Sequence, residues 1–323
     1  MKVEVRYHYY SGQRVIMSEN RNKRPKDYIK ESTPLPKEKY NPSCPFCFGN
    51  EKMTPKEVYL VGGKNWQIRA FPNKFPLLDS SLKFYRKKTK LFDKRSGYGF
   101  HEVLVDTPLH NEQWQDFSKK KFEQIFSAYK ERYIELIKKP EIKYVMLFRN
   151  YSYLGGASLV HSHSQILATP FLPTNILRDI HTLTDYSKEY YSCAYCDIVS
   201  KESSSSRLVY ENKEFIVLSP YCARYPFELW IISKKHLSDF SDLNIPHFAD
   251  AIQKSIKGLF LIFGDLPYNF FIHHLPKSIE GEFHFHAEIQ PRLKTEASVE
   301  FGYGIKVNTF LPERAAKKLR EVI

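Results

Sequence analysis

Apolar and polar positions follow one order of elements through the first half of the chain. "CPFC" precedes a strand-like stretch, "WQIRAFPNKFPLL", and the next strand pattern, "HEVLVDTPLH", ends at His110. Apolar residues at helical spacing in "FEQIFSAYKERYIELIKK" predict a helix. A strand, "YVMLFRN", then leads to "HSHSQILATP".

The second half repeats this order. "CAYC" precedes "EFIVLSPYCARYPFELWIIS", which runs into "KKHL" with His236. A helical pattern follows in "FADAIQKSIKGLFLIF", and a strand, "YNFFIHHL", leads to "FHFHAEIQPRL". The distance from His236 to the paired histidine His284 nearly equals that from His110 to His161. Recurrence of elements and site residues predicts tandem units.

We therefore predict an α+β fold of two tandem units, each an antiparallel sheet packed with helices. The polar segment after "ATPFLPTN" divides the chain into residues 1–175 and 176–323. The final stretch, "SVEFGYGIKVNTFLPERAAKKLREVI", predicts a strand, a turn and a short helix. The N-terminal "MKVEVRYHYYSGQRVIMSENR" alternates like a strand and contains no apolar signal-peptide core, so we expect a cytoplasmic protein.

Composition restricts the class of protein. The 323 residues, 42% of them hydrophobic, can bury a large core, and the longest apolar patch, "IKGLFLIFG", is too short to span a bilayer. The net charge of +13 is compatible with an anionic ligand or with nucleic acid. The basic residues do not alternate with aromatics as in RNA-binding modules, which disfavours nucleic acid.

Four of the five cysteines form two Cys-x-x-Cys pairs, Cys44/Cys47 and Cys193/Cys196. In an intracellular chain this spacing indicates metal or redox chemistry. A redox motif is expected at a helix start after a strand, whereas "NPSCPFCFGNE" is typical of a turn. Zinc binding is therefore favoured over redox chemistry.

A tetrahedral zinc needs two further ligands beside each cysteine pair. In the first half His161 and either His110 or His101 are candidates; His110 is favoured because it closes a strand and corresponds to His236 in the repeat. The predicted first set is Cys44, Cys47, His110 and His161, and the second is Cys193, Cys196, His236 and His284.

In "HSHSQ" the side chains of His161, His163 and Gln165 share one face of a strand, because side-chain direction alternates. With His161 on the metal, His163 remains beside it on a fixed backbone. A neutral imidazole can act as a nucleophile towards phosphorus, and Gln165 can donate a hydrogen bond to a phosphate oxygen. We predict that these two residues are catalytic.

The motifs resemble the histidine-triad superfamily, and in particular the galactose-1-phosphate uridylyltransferase family with its ADP-glucose phosphorylase-like members. "CPFC", "RAFPNKFPLL" and "FRNYSYLGGASLVHSHSQ" are similar to that family's first zinc knuckle, nucleotide-contacting segment and active-site strand. "SGQRVIMSENRNKRPKDY" is similar to its N-terminal strand, and "CAYC", "KKHL" and "FHFH" match the second knuckle of the phosphorylase-like members.

The resemblance implies that His163 is the nucleophile and that the protein is a zinc-containing, commonly dimeric nucleotidylyltransferase of galactose metabolism. Its substrates would be a nucleotide sugar and a hexose 1-phosphate. The substrate-contacting residues that the resemblance implies, besides Gln165, are Arg21, Arg24, Asn73, Lys74, Phe75, Asn150, Ser158 and Tyr303.

Some positions depart from the family pattern. Ser152 and Val160 stand where glycine and proline are usual, and Gly304 and Phe310 stand where glutamate and glutamine are expected to hold the hexose. The alternative function is therefore an ADP-glucose or dinucleoside polyphosphate phosphorylase that uses inorganic phosphate as acceptor. In the second copy of the motif Glu288 replaces the glutamine, and its charge would repel a phosphate.

Overall fold

The computed structural model describes residues 3–19 and 35–323, which form fifteen strands and six α-helices. The strands are β1 (Glu4–Tyr7), β2 (Arg14–Met17), β3 (Tyr59–Val61), β4 (Ile68–Pro72), β5 (Arg86–Lys88), β6 (Asp93–Arg95), β7 (Phe100–Val105), β8 (Tyr144–Tyr151), β9 (His163–Thr169), β10 (Leu208–Glu211), β11 (Phe215–Leu218), β12 (Leu229–Ser233), β13 (Tyr268–His273), β14 (His286–Pro291) and β15 (Lys306–Asn308). The helices are α1 (Lys119–Ile137), α2 (Thr174–Tyr190), α3 (Ala194–Glu202), α4 (Ile245–Phe263), α5 (Ser298–Tyr303) and α6 (Pro312–Arg320).

Ten strands form one sheet in the order β10-β11-β12-β14-β13-β8-β9-β7-β4-β3, with antiparallel pairing throughout. The two halves of the chain contribute five strands each, and they meet where β13 pairs with β8. Each half has the same internal order, because β3, β4, β7, β9 and β8 correspond to β10, β11, β12, β14 and β13. The α+β class and the duplicated plan are thus confirmed. The division at residue 175 stays a prediction, since the sheet is continuous across it.

The helices α1 and α4 cover one face of the sheet. Ser118 caps α1, where its hydroxyl accepts a hydrogen bond from the Lys121 N–H. The rings of Phe126 on α1 and Phe248 on α4 lie 4.8 Å apart in the main core. This packing leaves the opposite face, which carries Val103 and Phe71, free for the metal knuckle and the cleft described below. None of the helices in the described ranges has the length and apolar character needed to cross a membrane.

The ends of the chain differ from the expectation. The N-terminal stretch forms a hairpin of β1 and β2, and β15 pairs in parallel with β2. Residues 298–303, predicted as part of a strand, form α5 instead. The Glu300 carboxylate accepts a hydrogen bond from the Ala297 N–H at 3.0 Å, which closes the first helical turn there. The predicted turn and final helix are present in the segment that leads from β15 into α6.

Candidate active site

The turn that carries Cys44 and Cys47 lies against His110, which follows β7, and His161, which precedes β9. The Cys44 Sγ and the Cys47 Sγ each lie 3.6 Å from the His161 Nδ1, and the Cys47 Sγ lies 3.5 Å from the His110 Nδ1. A tetrahedral zinc ion with ordinary bond lengths places sulfur and nitrogen ligands roughly 3.5–3.6 Å apart. The four buried side chains therefore fit a metal ion of this kind.

Neighbouring groups fix these four side chains. The His161 Nε2–H donates to the Thr107 carbonyl oxygen at 2.8 Å, so the lone pair of Nδ1 faces the thiols. Arg69 donates to the Pro45 carbonyl oxygen at 3.0 Å and holds the cysteine turn against β4. Burial lowers the pKa of His161 to about 4 and raises the pKa of Cys44 to about 11, so a bound metal would displace a proton from the thiol.

His163 is the first residue of β9, is buried, and lines a cleft of about 590 Å³. Its Nδ1–H donates to the His161 carbonyl oxygen at 2.8 Å, and the hydrogen bonds of the described residues leave its Nε2 free. Burial lowers the pKa of His163, which favours the neutral imidazole. The cleft is also lined by Phe46, Phe71, Asn73, Lys74, Phe75, Val103, Ser158, Leu159 and Gln165. A neutral nitrogen nucleophile in a partly apolar cleft suits attack on a phosphoryl group beside a nucleoside.

His101 lies outside the metal group, so of the two candidates only His110 joins the cysteines. The His101 Nε2 lies 2.8 Å from the Gln165 Oε1. This contact was not predicted from the sequence, because it depends on the pairing of β7 with β9.

The opposite side of the strand that carries His163 is fixed by a buried ion pair between Asp106 and Arg149, whose Nη1 lies 2.6 Å from the carboxylate. The two serines of "HSHSQ" donate to the same carboxylate, Ser162 at 2.8 Å and Ser164 at 3.3 Å. The Arg149 Nη1 also donates to the His163 carbonyl oxygen at 2.8 Å. The alternation of "HSHSQ" thus separates the face that carries His163 from the face whose serines contact Asp106, and sequence reasoning missed both Asp106 and Arg149.

The sequence profile of the galactose-1-phosphate uridyl transferase N-terminal domain matches residues 1–173, more than half of the chain. The chain belongs to the galactose-1-phosphate uridyl transferase family. A second profile, of a domain of unknown function (DUF4921), matches residues 114–323 of this family member.

Relatives of this uridyl transferase family member cover nearly its whole length. ADP-glucose phosphorylase of Arabidopsis thaliana is 34% identical over 95% of the chain and 90% of the relative. Galactose-1-phosphate uridylyltransferase of Thermotoga maritima is 31% identical over 99% of the chain and 98% of the relative. The crystal structure of the Arabidopsis phosphorylase with bound ADP-glucose superposes with a TM-score of 0.87 at 29% identity, covering 100% of the chain and 99% of that structure. The predicted resemblance and the predicted enzyme class, a nucleotidyltransferase, are confirmed.

The second half of this family member contains a matching group of ligands, Cys193, Cys196, His236 and His284. The sulfur–nitrogen distances are 3.6–3.7 Å, close to those of a tetrahedral site. The His284 Nε2–H donates to the Ser233 carbonyl oxygen at 2.8 Å. The first pair of cysteines lies in a turn as predicted, whereas "CAYC" begins α3. This site is less enclosed than the first, because His236 is exposed.

His286 corresponds to His163, yet its ring nitrogens are both engaged. Its Nδ1–H donates to the His284 carbonyl oxygen at 2.9 Å, and the Tyr195 hydroxyl lies 2.9 Å from its Nε2. Glu288 forms an ion pair with Arg224. In this half of the uridyl transferase fold the equivalent imidazole is therefore a hydrogen-bond acceptor within the protein, and the acid that replaces glutamine is held by an arginine.

The other residues implied by the family resemblance fall into three groups. Asn73, Lys74, Phe75 and Ser158 line the cleft of His163. Asn150 is bonded to Asn269 at 2.8 Å and is not among the lining residues, and Tyr303 lies outside the cleft at the end of α5 with 80% of its surface exposed. Arg21 and Arg24 lie outside the described residues.

Proposed function

We propose that the protein transfers a nucleoside monophosphate from a nucleotide sugar to a hexose 1-phosphate through a covalent nucleotidyl-histidine at His163. The observation that carries this proposal is the free Nε2 of the buried His163, whose Nδ1–H donates to the His161 carbonyl oxygen and whose pKa is lowered by burial.

The reaction that we propose has two displacements. The lone pair of the His163 Nε2 attacks the α-phosphorus, a P–N bond forms, and the P–O bond to the departing hexose 1-phosphate breaks. A phosphate oxygen of the second sugar phosphate then attacks the same phosphorus, and the P–N bond breaks to restore the imidazole. Gln165 donates a hydrogen bond to a non-bridging oxygen as charge develops there.

The apolar part of the cleft is suited to the nucleoside. Phe46, Phe71 and Val103 offer apolar contacts, while Asn73 and Lys74 lie at its polar edge. We assign Ser158 to the transferred phosphate. Arg21, Arg24, Asn150 and Tyr303 remain proposed substrate contacts on the basis of the family resemblance.

Zinc is the metal that we propose for both Cys₂His₂ groups, because soft thiolates and imidazoles at tetrahedral spacing favour it. In the first site Cys44, Cys47, His110 and His161 would hold an ion that supplies structural rigidity directly before the nucleophile. Thiols kept for metal binding also suit a reducing compartment, which supports a cytoplasmic location.

A homodimer is the assembly that we propose. Phe301 and Tyr303 on α5 are 74% and 80% exposed, so both aromatic side chains are available for contact with a partner. A second copy packed against α5 would bury these two rings. It would also bring Tyr303 of each chain towards the His163 cleft of the other chain, because Tyr303 does not line the cleft of its own chain.

A phosphorylase that uses inorganic phosphate as acceptor is the second candidate. It is favoured by the relative named ADP-glucose phosphorylase and by Gly304 and Phe310 at the places where glutamate and glutamine would hold a hexose. Both functions share the step at His163 and differ only in the acceptor.

The acceptor decides between the two candidates. The metal-loaded protein is incubated with UDP-glucose or ADP-glucose, and either galactose 1-phosphate or inorganic phosphate is then added while the products are separated by chromatography. A new nucleotide sugar supports the uridylyltransferase, and release of a nucleoside diphosphate supports the phosphorylase. Failure of both acceptors with both donors would contradict the proposed function, and His163→Asn provides the inactive control.

A further inference from the structure

The amide of Gln165 can present two opposite groups to the cleft. Its NH₂ group would donate to a phosphoryl oxygen, whereas its carbonyl oxygen would repel one. Whichever residue determines the orientation of this amide therefore controls whether Gln165 assists the reaction.

His101 is the neighbour that can set this orientation. Its Nδ1 accepts a hydrogen bond from the Leu77 N–H at 3.0 Å, so this nitrogen carries no proton. A neutral imidazole with an unprotonated Nδ1 has its proton on Nε2. The Nε2–H therefore donates to the Gln165 Oε1 at 2.8 Å.

Asn73 does not compete for this proton. Its Oδ1 accepts a hydrogen bond from the Phe75 N–H at 2.9 Å, which turns its NH₂ group towards the His101 Nε2 at 3.3 Å. Two N–H groups cannot bond to each other, so this approach is a packing contact. The direction of the hydrogen bond from Leu77 through His101 to Gln165 is thus determined at each step.

We propose that His101 is a positioning residue that holds the Gln165 carbonyl oxygen away from the cleft and so aims the amide NH₂ at the phosphoryl group on His163. This inference rests on the proposed function, because it assigns a task to Gln165 in that reaction. His101 itself does not touch the substrate in this scheme.

The second half of the sheet shows different chemistry at the same two places. Val103 pairs with Gln165 and Trp230 pairs with Glu288, so His101 and Glu228 each lie two residues before the partner of the motif residue. Glu228 and Glu288 are both bonded to Arg224. In the first half, where the His163 Nε2 is free, a histidine donor and an amide occupy these two places. In the second half, where both nitrogens of His286 are hydrogen-bonded, two carboxylates share one guanidinium.

A double-mutant cycle tests the proposal. Single-turnover nucleotidylation by UDP-glucose or ADP-glucose is measured for the wild type, His101→Leu, Gln165→Ala and the double variant. We expect Gln165→Ala to slow the step by about 100-fold, as when one transition-state donor is removed, and His101→Leu to slow it by about tenfold or more. The double variant should match Gln165→Ala within about twofold, because His101 acts only through the amide.

Two further measurements separate this role from a structural one. His101→Gln can donate to Gln165 from the same strand position and should recover most of the rate lost in His101→Leu, while metal content and the unfolding midpoint control for folding. Long-range proton–nitrogen spectra of the histidine-labelled wild type report the tautomer without any substitution, and the Nε2–H form is expected.

Multiplicative losses in the double variant, or a proton on the His101 Nδ1, would overturn the proposal. An unmodified wild type carrying its metal would instead overturn the proposed function.

Discussion

Asp106→Asn is expected to destabilise the protein strongly, although Asp106 touches neither the cleft nor the metal group. The carboxylate accepts hydrogen bonds from the Arg149 guanidinium at 2.6 Å, the Trp114 Nε1–H at 3.0 Å and the hydroxyl of Ser162 at 2.8 Å. Asp106 is fully buried and Arg149 is 1% exposed. The amide of asparagine is nearly isosteric, so the substitution removes the charge and leaves the shape.

The magnitude follows from the Arg149 charge that would remain. Removing one partner of a buried ion pair costs about 3–5 kcal/mol, because the other charge stays desolvated. The whole free energy of unfolding of a domain is about 5–15 kcal/mol. We therefore expect Asp106→Asn to remove a large share of it.

Urea unfolding of the metal-loaded protein, followed by tryptophan fluorescence, measures this effect. Arg149→Met removes the charge together with the hydrogen bond to the His163 carbonyl oxygen. If the unpaired charge is the main penalty, the double variant Asp106→Asn/Arg149→Met loses less free energy of unfolding than the two single variants lose together. We expect this difference to be at least about 2 kcal/mol. A loss below about 1 kcal/mol in Asp106→Asn, or strictly additive losses, would refute this reasoning.

The remaining predictions concern the second imidazole, the metals and acid. His286→Asn should keep the rate of nucleotidylation within about threefold of the wild-type rate. The hydrogen bond that it removes contributes about 1 kcal/mol to stability and nothing to the transition state. A loss of rate comparable to that in His163→Asn would show that the imidazoles of both halves take part in the reaction. A chelator should remove metal in two phases, the second-half site first because His236 is exposed, with activity lost only in the slow phase; simultaneous loss of metal and activity in the fast phase would count against this order. Burial lowers the pKa of His8 to about 3, so the unfolded chain binds a proton below about pH 6.5 that the folded chain does not, and the free energy of unfolding falls as the pH decreases. Through His8 the free energy of unfolding is about 2 kcal/mol lower at pH 5 than at pH 8. In His8→Phe the free energy of unfolding from urea titrations should therefore change less with pH, by that amount; parallel pH profiles of the variant and the wild type would contradict this.

The sequence predicted which cysteines and histidines come together in the two groups, and the shared face of "HSHSQ", because this information is local. Two thiols at Cys-x-x-Cys spacing and alternating side chains in "HSHSQ" fix the ligand types and the shared face before any tertiary contact is considered. The duplicated order of elements likewise predicted the two matching halves of the sheet.

The parts that the sequence did not predict depend on tertiary pairing. The sequence favoured His110 over His101 as the metal ligand but gave His101 no other role, and only the register of β7 shows that His101 lies beside Gln165 while His110 lies beside Cys47. Asp106 and Arg149 are charged residues that composition assigns to the surface, yet the pairing of strands buries them together. Residues 298–303 form a helix whose first turn is closed by the backbone bond from Phe301 to Ala297 and by the Ala297 N–H on the Glu300 carboxylate, which alternation cannot reveal.

The central claim is that His163 carries the nucleotide during the reaction, and mass spectrometry tests it most directly. The metal-loaded protein is mixed with UDP-glucose or ADP-glucose without an acceptor, and its intact mass and peptides are measured under alkaline conditions that preserve a phosphoramidate. We predict one nucleotidyl group on His163, present also in His286→Asn, absent in His163→Asn, and removed when an acceptor is added. An adduct that persists in His163→Asn, or a metal-loaded wild type that remains unmodified by both nucleotide sugars, would contradict the account.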